Sequence, residues 1–148
     1  MTEPHIKFKV MRIVKKLILM SLLSIISLTI NAKKTYNWNK VINAIIQVES
    51  KGNINTRSKD CVGILQIRPI LVKDVNEYLE MKGSNKRFKM NDRLNAEKSK
   101  EMFILYQERY NPSNNVEKAI RLWNGGYGYS KAKTENYYRN VMKYYKGG

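Results

Sequence analysis

The sequence predicts a single, mainly α-helical domain. Apolar residues recur at three-and-four spacing in five separate segments, which is the pattern of one buried helix face. The 148 residues are enough for one domain with a modest core. No internal repeat and no low-complexity linker divides the chain, so one domain is the simplest organisation.

The N-terminal segment has the pattern of a secretory signal peptide. Basic residues in RIVKK, at 12–16, precede fourteen uncharged residues at 17–30, and the small residue Ala32 follows. This run is shorter than the roughly 20 apolar residues of a spanning helix. We therefore expect residues 1–32 to be removed and residues 33–148 to form a mature domain without stable membrane insertion. An uncleaved anchor and a start at Met11 are the alternatives.

The charge of the chain suggests an anionic partner. Removal of residues 1–32 takes away five basic residues and one acidic residue, so the formal charge falls from +16 to +12. A cell-wall polymer, an anionic membrane surface and nucleic acid are the candidates. The basic residues are scattered and no aromatic-basic RNA-binding motif is present, so nucleic acid is not expected.

The single cysteine and the single histidine exclude several kinds of site. Cys61 cannot form a disulfide within the chain, and the apolar residues after it indicate a small buried side chain rather than a reactive thiol. His5 lies in the segment expected to be removed. A Ser-His-Asp hydrolase and a His-type zinc site are therefore not expected, and we expect no metal and no cofactor.

The five predicted helices are bounded by recognisable signals. Asn37 caps the first and Gly52 stops it, Pro69 suits the first turn of the second, and Gly83 ends that helix. A basic loop, SNKRFKMNDR, separates the second helix from the third. The other predicted spans are residues 38–49 for the first helix, 96–110 for the third, 116–123 for the fourth, and from about Thr134 for the fifth.

Glu49 stands where the first helix should carry another apolar residue. Burial would raise the pKa of its carboxyl, and the negative end of the helix dipole would act in the same direction. A carboxyl group that keeps its proton near neutral pH can serve as a general acid. The alternatives are a Glu49 side chain that turns into water, or one that pairs with Lys51 or Arg57.

Four short motifs follow one another along the chain: ES at 49–50, GILQ at 63–66, LWNGG at 122–126 and TENY at 134–137. Their order and content resemble the lysozyme-like lytic transglycosylases of the soluble (SLT) type, to which goose-type lysozymes are related. The resemblance covers about residues 37–145. Leucine replaces the family methionine at position 65, and tryptophan replaces the family tyrosine at position 123.

The resemblance implies a lysozyme-like fold of the α+β superfamily, with a substrate cleft and a minimal β element near residues 57–67. It implies cleavage of the β-1,4 bond between N-acetylmuramic acid and N-acetylglucosamine in peptidoglycan, with formation of a 1,6-anhydro ring. Glu49 would act first as acid and then as base, oriented by Tyr137. The implied sugar-binding residues are Ser50, Leu65, Gln66, Trp123, Asn124 and Gly125.

Two other functions remain as alternatives. A hydrolytic muramidase would need a second acid, for which Asp60 is the best candidate and Asp92 a weaker one. A non-catalytic secreted module would bind peptidoglycan through the same groove.

The resemblance also implies a location and partners. We expect an exported monomer in the periplasm, the cell envelope or the extracellular space, with peptidoglycan glycan strands as its partner. A secretion or conjugation machine is a further candidate partner.

Overall fold

The structure is a computed structural model that describes residues 11–12, 14–18 and 36–147. The chain divides into residues 1–35 and a helical domain that begins at Tyr36. The described residues of the first part are helical and exposed. The predicted cleavage site, and the predicted apolar run apart from residues 17–18, lie outside the described residues. Within the described ranges, no helix has both the length and the apolar character needed to cross a membrane.

Five α-helices and one small hairpin build the described part of the helical domain. The hairpin pairs β1 (Arg57–Ser58) with β2 (Cys61–Val62) in antiparallel register, and Val62 also bridges to Ile67. A 3-10 helix spans Met90–Leu94. The predicted mainly α fold with a minimal β element is confirmed. The helices are α1 (Asn39–Glu49), α2 (Pro69–Met81), α3 (Ala96–Tyr110), α4 (Val116–Gly125) and α5 (Lys131–Gly147).

The helix bounds agree closely with the sequence patterns. The predicted span of α3 is confirmed, and the side chain of Asn37 accepts the backbone N–H of Asn39 at 3.0 Å, where α1 starts. Helix α4 continues two residues beyond the predicted end, and α5 begins three residues before the predicted start. The 3-10 helix lies in a segment predicted as loop.

Aromatic side chains of α3, of α4 and of the residue before α1 meet in the core. Phe103 of α3 is fully buried, and its ring lies 5.0 Å from that of Trp123 and 5.8 Å from that of Trp38. Such tilted and edge-on contacts suit the charge distribution of aromatic rings. Helix α5 packs against both α1 and α4, and α2 packs against α3. These contacts bring the C-terminal ends of α1 and α4 beside α5.

A buried arginine joins α4 to the start of α5. Arg121 is only 3% exposed, and it donates to Glu117 at 2.8 Å, to Glu135 at 2.7 Å and to the carbonyl of Lys131 at 3.0 Å. A guanidinium group out of water has to be paired and hydrogen-bonded in this way. The network fixes the first turn of α5, and with it the helix that carries Tyr137.

Candidate active site

Glu49 is the last residue of α1 and is half-buried. The residues before it on the helix, Val41, Ile42 and Ile45, enter the core, so the same stripe carries the carboxyl group to the edge of that core. The hydroxyl of Tyr137, on α5, donates a hydrogen bond to Glu49 Oε1 at 2.6 Å. In the described part of the chain, Glu49 forms no ion pair with Lys51 or Arg57. The alternative that it pairs with one of them is therefore not observed.

Burial raises the pKa of the Glu49 carboxyl above its usual value. The hydrogen bond from Tyr137 and the positive charge of Arg68 oppose this rise but do not cancel it. No described residue donates to Oε2, so this oxygen is free to carry the proton. The geometry therefore presents a carboxyl group whose pKa is raised by burial, with one oxygen held by Tyr137 and the other available.

Tyr137 is well suited to hold that carboxyl group. Burial raises the pKa of its phenol well above the usual value, and the charge of Glu49 and the shared hydrogen bond raise it further. The phenol therefore stays protonated and remains a hydrogen-bond donor. Its role of orienting Glu49 stays a prediction, for which this hydrogen bond has the required geometry.

Nine of the described residues, Glu49 among them, line a cleft of about 350 Å³. We call it the Glu49 cleft. The hairpin region supplies Ser58, Lys59, Asp60 and Cys61. The remaining lining residues are Gln66, Arg68, Trp123 and Asn124.

The loop after β2 gives Gln66 an unusual backbone and a well-defined side chain. Its φ of 48° lies in the left-handed region. The side-chain nitrogen donates to the carbonyls of Thr56 at 2.9 Å and Gly63 at 2.8 Å, which closes the loop on itself. The side-chain oxygen, Oε1, is buried and has no partner among the described residues. A buried acceptor without a partner is rare, so this oxygen is a candidate ligand-binding atom.

The end of α4 forms another part of the cleft. The Trp123 indole is buried and donates to the Leu65 carbonyl at 3.2 Å, while Asn124 is exposed. A Cβ on Gly125 would lie 2.7 Å from Tyr129 Cβ and 2.9 Å from Thr134 Cγ2. Glycine at 125 therefore lets the end of α4 pass close to the start of α5.

Two of the predicted sugar-binding side chains lie away from the cleft surface. Leu65 is 0% exposed and belongs to the core. The hydroxyl of Ser50 is buried and donates to the carbonyl of Ile64 at 2.8 Å, which ties the end of α1 to the loop that carries Gln66. Direct contacts of these two residues with a sugar stay predictions, and in the described conformation both residues support the cleft from within.

Asp60 and Cys61 both face the Glu49 cleft. Asp60 is exposed, as a second acid for a hydrolase would be. Cys61 was expected to be buried but is half-buried. Partial burial raises the pKa of its thiol, and the charge of Asp60 adds to the rise, so Cys61 is not an activated nucleophile. Asp92 lies instead in the 3-10 helix, where hydrogen bonds from Lys98 and the backbone of Lys89 lower its pKa.

Arg68 is a functional candidate that the sequence patterns did not indicate. It lines the Glu49 cleft and also a second concavity of about 220 Å³, which Gln66 and Trp123 line as well. Its guanidinium donates to the Asn124 carbonyl at a long 3.4 Å. Exposed Tyr127 and half-buried Asp74 lie along the second concavity. The shared residues make one groove of the two concavities, with Arg68 where they meet.

We expect Tyr137→Phe to lower kcat about tenfold to a hundredfold, because a hydrogen bond to a charged group contributes about 1.5–3 kcal/mol. The Tyr137 hydroxyl stabilises the carboxylate of Glu49, so its loss raises the pKa of Glu49 further. Because the acid step needs protonated Glu49, the alkaline limb of the pH profile of kcat/KM should move to higher pH.

Tyr138→Phe is the control for this substitution, since it removes a hydroxyl from the neighbouring residue, whose ring lies under Arg121. An alkaline limb that stays in place or moves to lower pH in Tyr137→Phe would show that Tyr137 does not set the protonation of Glu49.

In the described ranges, no group of three or more His, Cys, Asp or Glu side chains is placed to hold a metal ion. The Glu49 cleft presents two carboxyl groups, those of Glu49 and Asp60, together with side-chain amides and the guanidinium of Arg68.

A protein-family model matches most of the chain. The model of the transglycosylase SLT domain matches residues 27–146, which include α1, the hairpin and all the cleft residues. No curated protein and no solved structure matches the chain. The family match covers most of the 148 residues. The chain therefore belongs to the transglycosylase SLT domain family and is a lytic transglycosylase of peptidoglycan.

Proposed function

We propose that the enzyme cleaves the β-1,4 bond between N-acetylmuramic acid and N-acetylglucosamine and leaves a 1,6-anhydro ring on the muramic acid. The observation that carries this proposal is the Glu49 carboxyl, whose pKa is raised by burial and whose Oε1 is held by Tyr137 at 2.6 Å. One group that can give and then take back a proton is what this reaction needs.

In the first step, the proton on Glu49 passes to the glycosidic oxygen as the bond from that oxygen to C1 of the muramic acid breaks. The leaving sugar departs with a hydroxyl group. The carbonyl oxygen of the muramoyl N-acetyl group bonds to C1 and spreads the positive charge that develops there. Tyr137 keeps donating to Oε1 and stabilises the carboxylate that forms on Glu49.

In the second step, the 6-hydroxyl of the same muramic acid attacks C1 and displaces the N-acetyl oxygen. The Glu49 carboxylate takes the proton of that hydroxyl, so it ends in the state in which it began. No water is consumed. Glycosidases of the usual kind need a second carboxylate as nucleophile or as the base for water, and this route does not.

The other cleft residues would bind the substrate around the reacting bond. The exposed amide of Asn124 can bind an N-acetyl group or a hydroxyl, and Gln66 can accept the N–H of an acetamido group once substrate binding exposes its unpartnered Oε1. Trp123 and Gly125 shape the end of α4 beside them. Arg68 adds a positive charge, which favours a polymer that carries carboxylates.

The proposed substrate lies outside the cytoplasmic membrane, so the enzyme has to be exported. We assign this to residues 1–32, whose basic start and apolar run are typical of a signal peptide. SLT enzymes act on the cell wall, which is consistent with a place in the cell envelope. A monomeric state and a secretion or conjugation machine as partner belong to the same proposal.

Mass spectrometry of fragments released from purified peptidoglycan tests the reaction, with Asp60→Asn beside the unchanged enzyme. We expect fragments one water lighter than reducing muropeptides. We expect Asp60→Asn to keep the rate within about threefold, because an exposed carboxylate that has no part in the chemistry contributes little to a transition state.

Reducing ends, together with a loss of activity in Asp60→Asn, would replace the proposal with a muramidase in which Asp60 activates water. Binding to peptidoglycan without release of fragments would leave a non-catalytic module.

A further inference from the structure

A second groove lies between α1 and α5, apart from the Glu49 cleft. It consists of two adjoining concavities of about 720 Å³ and 490 Å³ that share Gln47, Lys143 and Tyr144. Asn39 and Asn43 of α1 also line it. We call it the α1–α5 groove. No residue that lines it lines the Glu49 cleft.

The two sites use different sides of α1. Gln47 and Glu49 are two residues apart, which places them about 200° apart around a helix of 3.6 residues per turn. The Gln47 side chain therefore points to the opposite side of α1 from the Glu49 carboxyl. A substitution in the groove can be made without touching the residues assigned to the reaction.

The wall on α1 is a row of amides. Asn39, Asn43 and Gln47 recur at every fourth residue and so line up along one side of the helix over about 12 Å. All three are exposed. An amide side chain offers two N–H donors and a carbonyl acceptor, which match the hydroxyl and N-acetyl groups of amino sugars. Tyr144 on α5 adds an exposed ring, which can cover the apolar face of a sugar.

The charge of the groove is positive. Lys40, Lys51 and Lys143 line it, and no Asp or Glu is among the described residues that do so. None of these lysines forms an ion pair with a residue that the structure describes, although many other basic residues of the domain do, Arg109 and Arg121 among them. A concave surface with unpaired cations attracts an anionic ligand.

We infer that the α1–α5 groove binds a second strand of peptidoglycan, whose amino sugars meet the amide row and whose peptide carboxylates meet the lysines. This inference rests on the proposed function, because it takes the same polymer as its ligand. An anionic membrane suits the groove less well, because its walls are concave and amide-lined rather than flat and apolar. A single-stranded nucleic acid would need several aromatic rings on which its bases could stack, whereas Tyr144 is the one aromatic residue among the described residues that line the groove.

The α1–α5 groove would let the enzyme bind the wall independently of the strand that is being cut. Two sites on one chain raise the local concentration of each strand at the other site, so binding to an intact wall exceeds what the Glu49 cleft alone provides. Short soluble fragments occupy the cleft alone and gain nothing from the groove.

Co-sedimentation of the full chain with purified peptidoglycan, freed of other wall polymers, tests the inference. Lys143→Glu is compared with Lys73→Glu, which makes the same charge change at an exposed residue of α2 outside the groove. All variants carry Glu49→Gln so that the polymer stays intact. We expect Lys143→Glu to weaken binding about tenfold, Lys73→Glu less than twofold, and Gln47→Ala severalfold with little dependence on salt.

The rate of cleavage of short soluble fragments, measured with Glu49 restored, should be the same in Lys143→Glu and Lys73→Glu. Equal binding of these two variants to the wall would overturn the inference, whether or not the enzyme cleaves. The inference would also be overturned if Lys143→Glu weakened binding only to vesicles of phosphatidylcholine and phosphatidylglycerol, or only to single-stranded DNA, and left binding to peptidoglycan unchanged. Groove-dependent binding without 1,6-anhydro products would instead uphold the groove and refute the proposed reaction.

Discussion

Glu49→Gln should lower the rate of peptidoglycan cleavage about a thousandfold, within the range that a positioned general acid and base contributes. The amide cannot give a proton to the glycosidic oxygen or take one from the 6-hydroxyl. Its carbonyl can still accept the Tyr137 hydroxyl that now holds Glu49 Oε1. The substitution therefore removes the chemistry and keeps the contact. Release of soluble fragments from peptidoglycan measures the loss.

The stability of this variant separates loss of chemistry from loss of fold. Burial raises the pKa of Glu49, so above that pKa the folded protein must ionise a carboxyl group that resists ionisation. An acid whose pKa is raised by folding reduces stability at the pH values where it is charged. We therefore expect Glu49→Gln to melt at the same temperature as the unchanged enzyme or higher, at neutral pH.

Glu97→Gln is the matched control, because it makes the same chemical change at a carboxylate that is 83% exposed and pairs with Lys100 on the surface of α3. Its activity should be unchanged. If Glu49→Gln kept more than a tenth of the activity, another group would have to supply the proton, and Asp60, which also lines the Glu49 cleft, would be the first to examine.

The sequence patterns located the helices well where the deciding information is local. Helix α3 begins just after Asn95, whose side chain accepts the backbone N–H of Lys98 at 3.0 Å, and it ends before Asn111-Pro112. The start of α5 depends on distant contacts instead. Arg121 reaches from α4 to the carbonyl of Lys131, so the helix begins three residues before the pattern of apolar residues does. No local pattern reports such a contact.

The site residues were also predictable only where the information is local. The pattern of α1 indicated Glu49, because a carboxyl group replaces an apolar residue on its buried stripe. Arg68 was not marked, since an arginine after an apolar run is typical of any surface. Leu65 was expected at the cleft, but the loop after β2 turns its side chain into the core. That turn depends on the left-handed backbone at Gln66 and on its contacts with Thr56 and Gly63, which sequence spacing does not reveal.

Gly63→Ala should destabilise the domain by about 3 kcal/mol and lower its melting temperature by about 10 °C or more. Gly63 has a φ of 81°, and a Cβ there would lie 2.0 Å from the carbonyl oxygen of Arg93. That oxygen belongs to the backbone and also accepts the hydroxyl of Ser99 at 3.0 Å, so it cannot move aside freely. The hairpin loop would have to lift from the 3-10 helix to make room.

Gly83→Ala separates the two causes of this loss. Gly83 also has a positive φ, 70°, but a Cβ there meets nothing within 4 Å, so only the backbone strain of about 1 kcal/mol applies. Urea unfolding of both variants measures the difference. An equal loss of stability would mean that the loop yields without cost. A larger loss in Gly63→Ala, with activity reduced even where the protein stays folded, would follow from the structure, because the Gly63 carbonyl holds the Gln66 side chain in the Glu49 cleft at 2.8 Å.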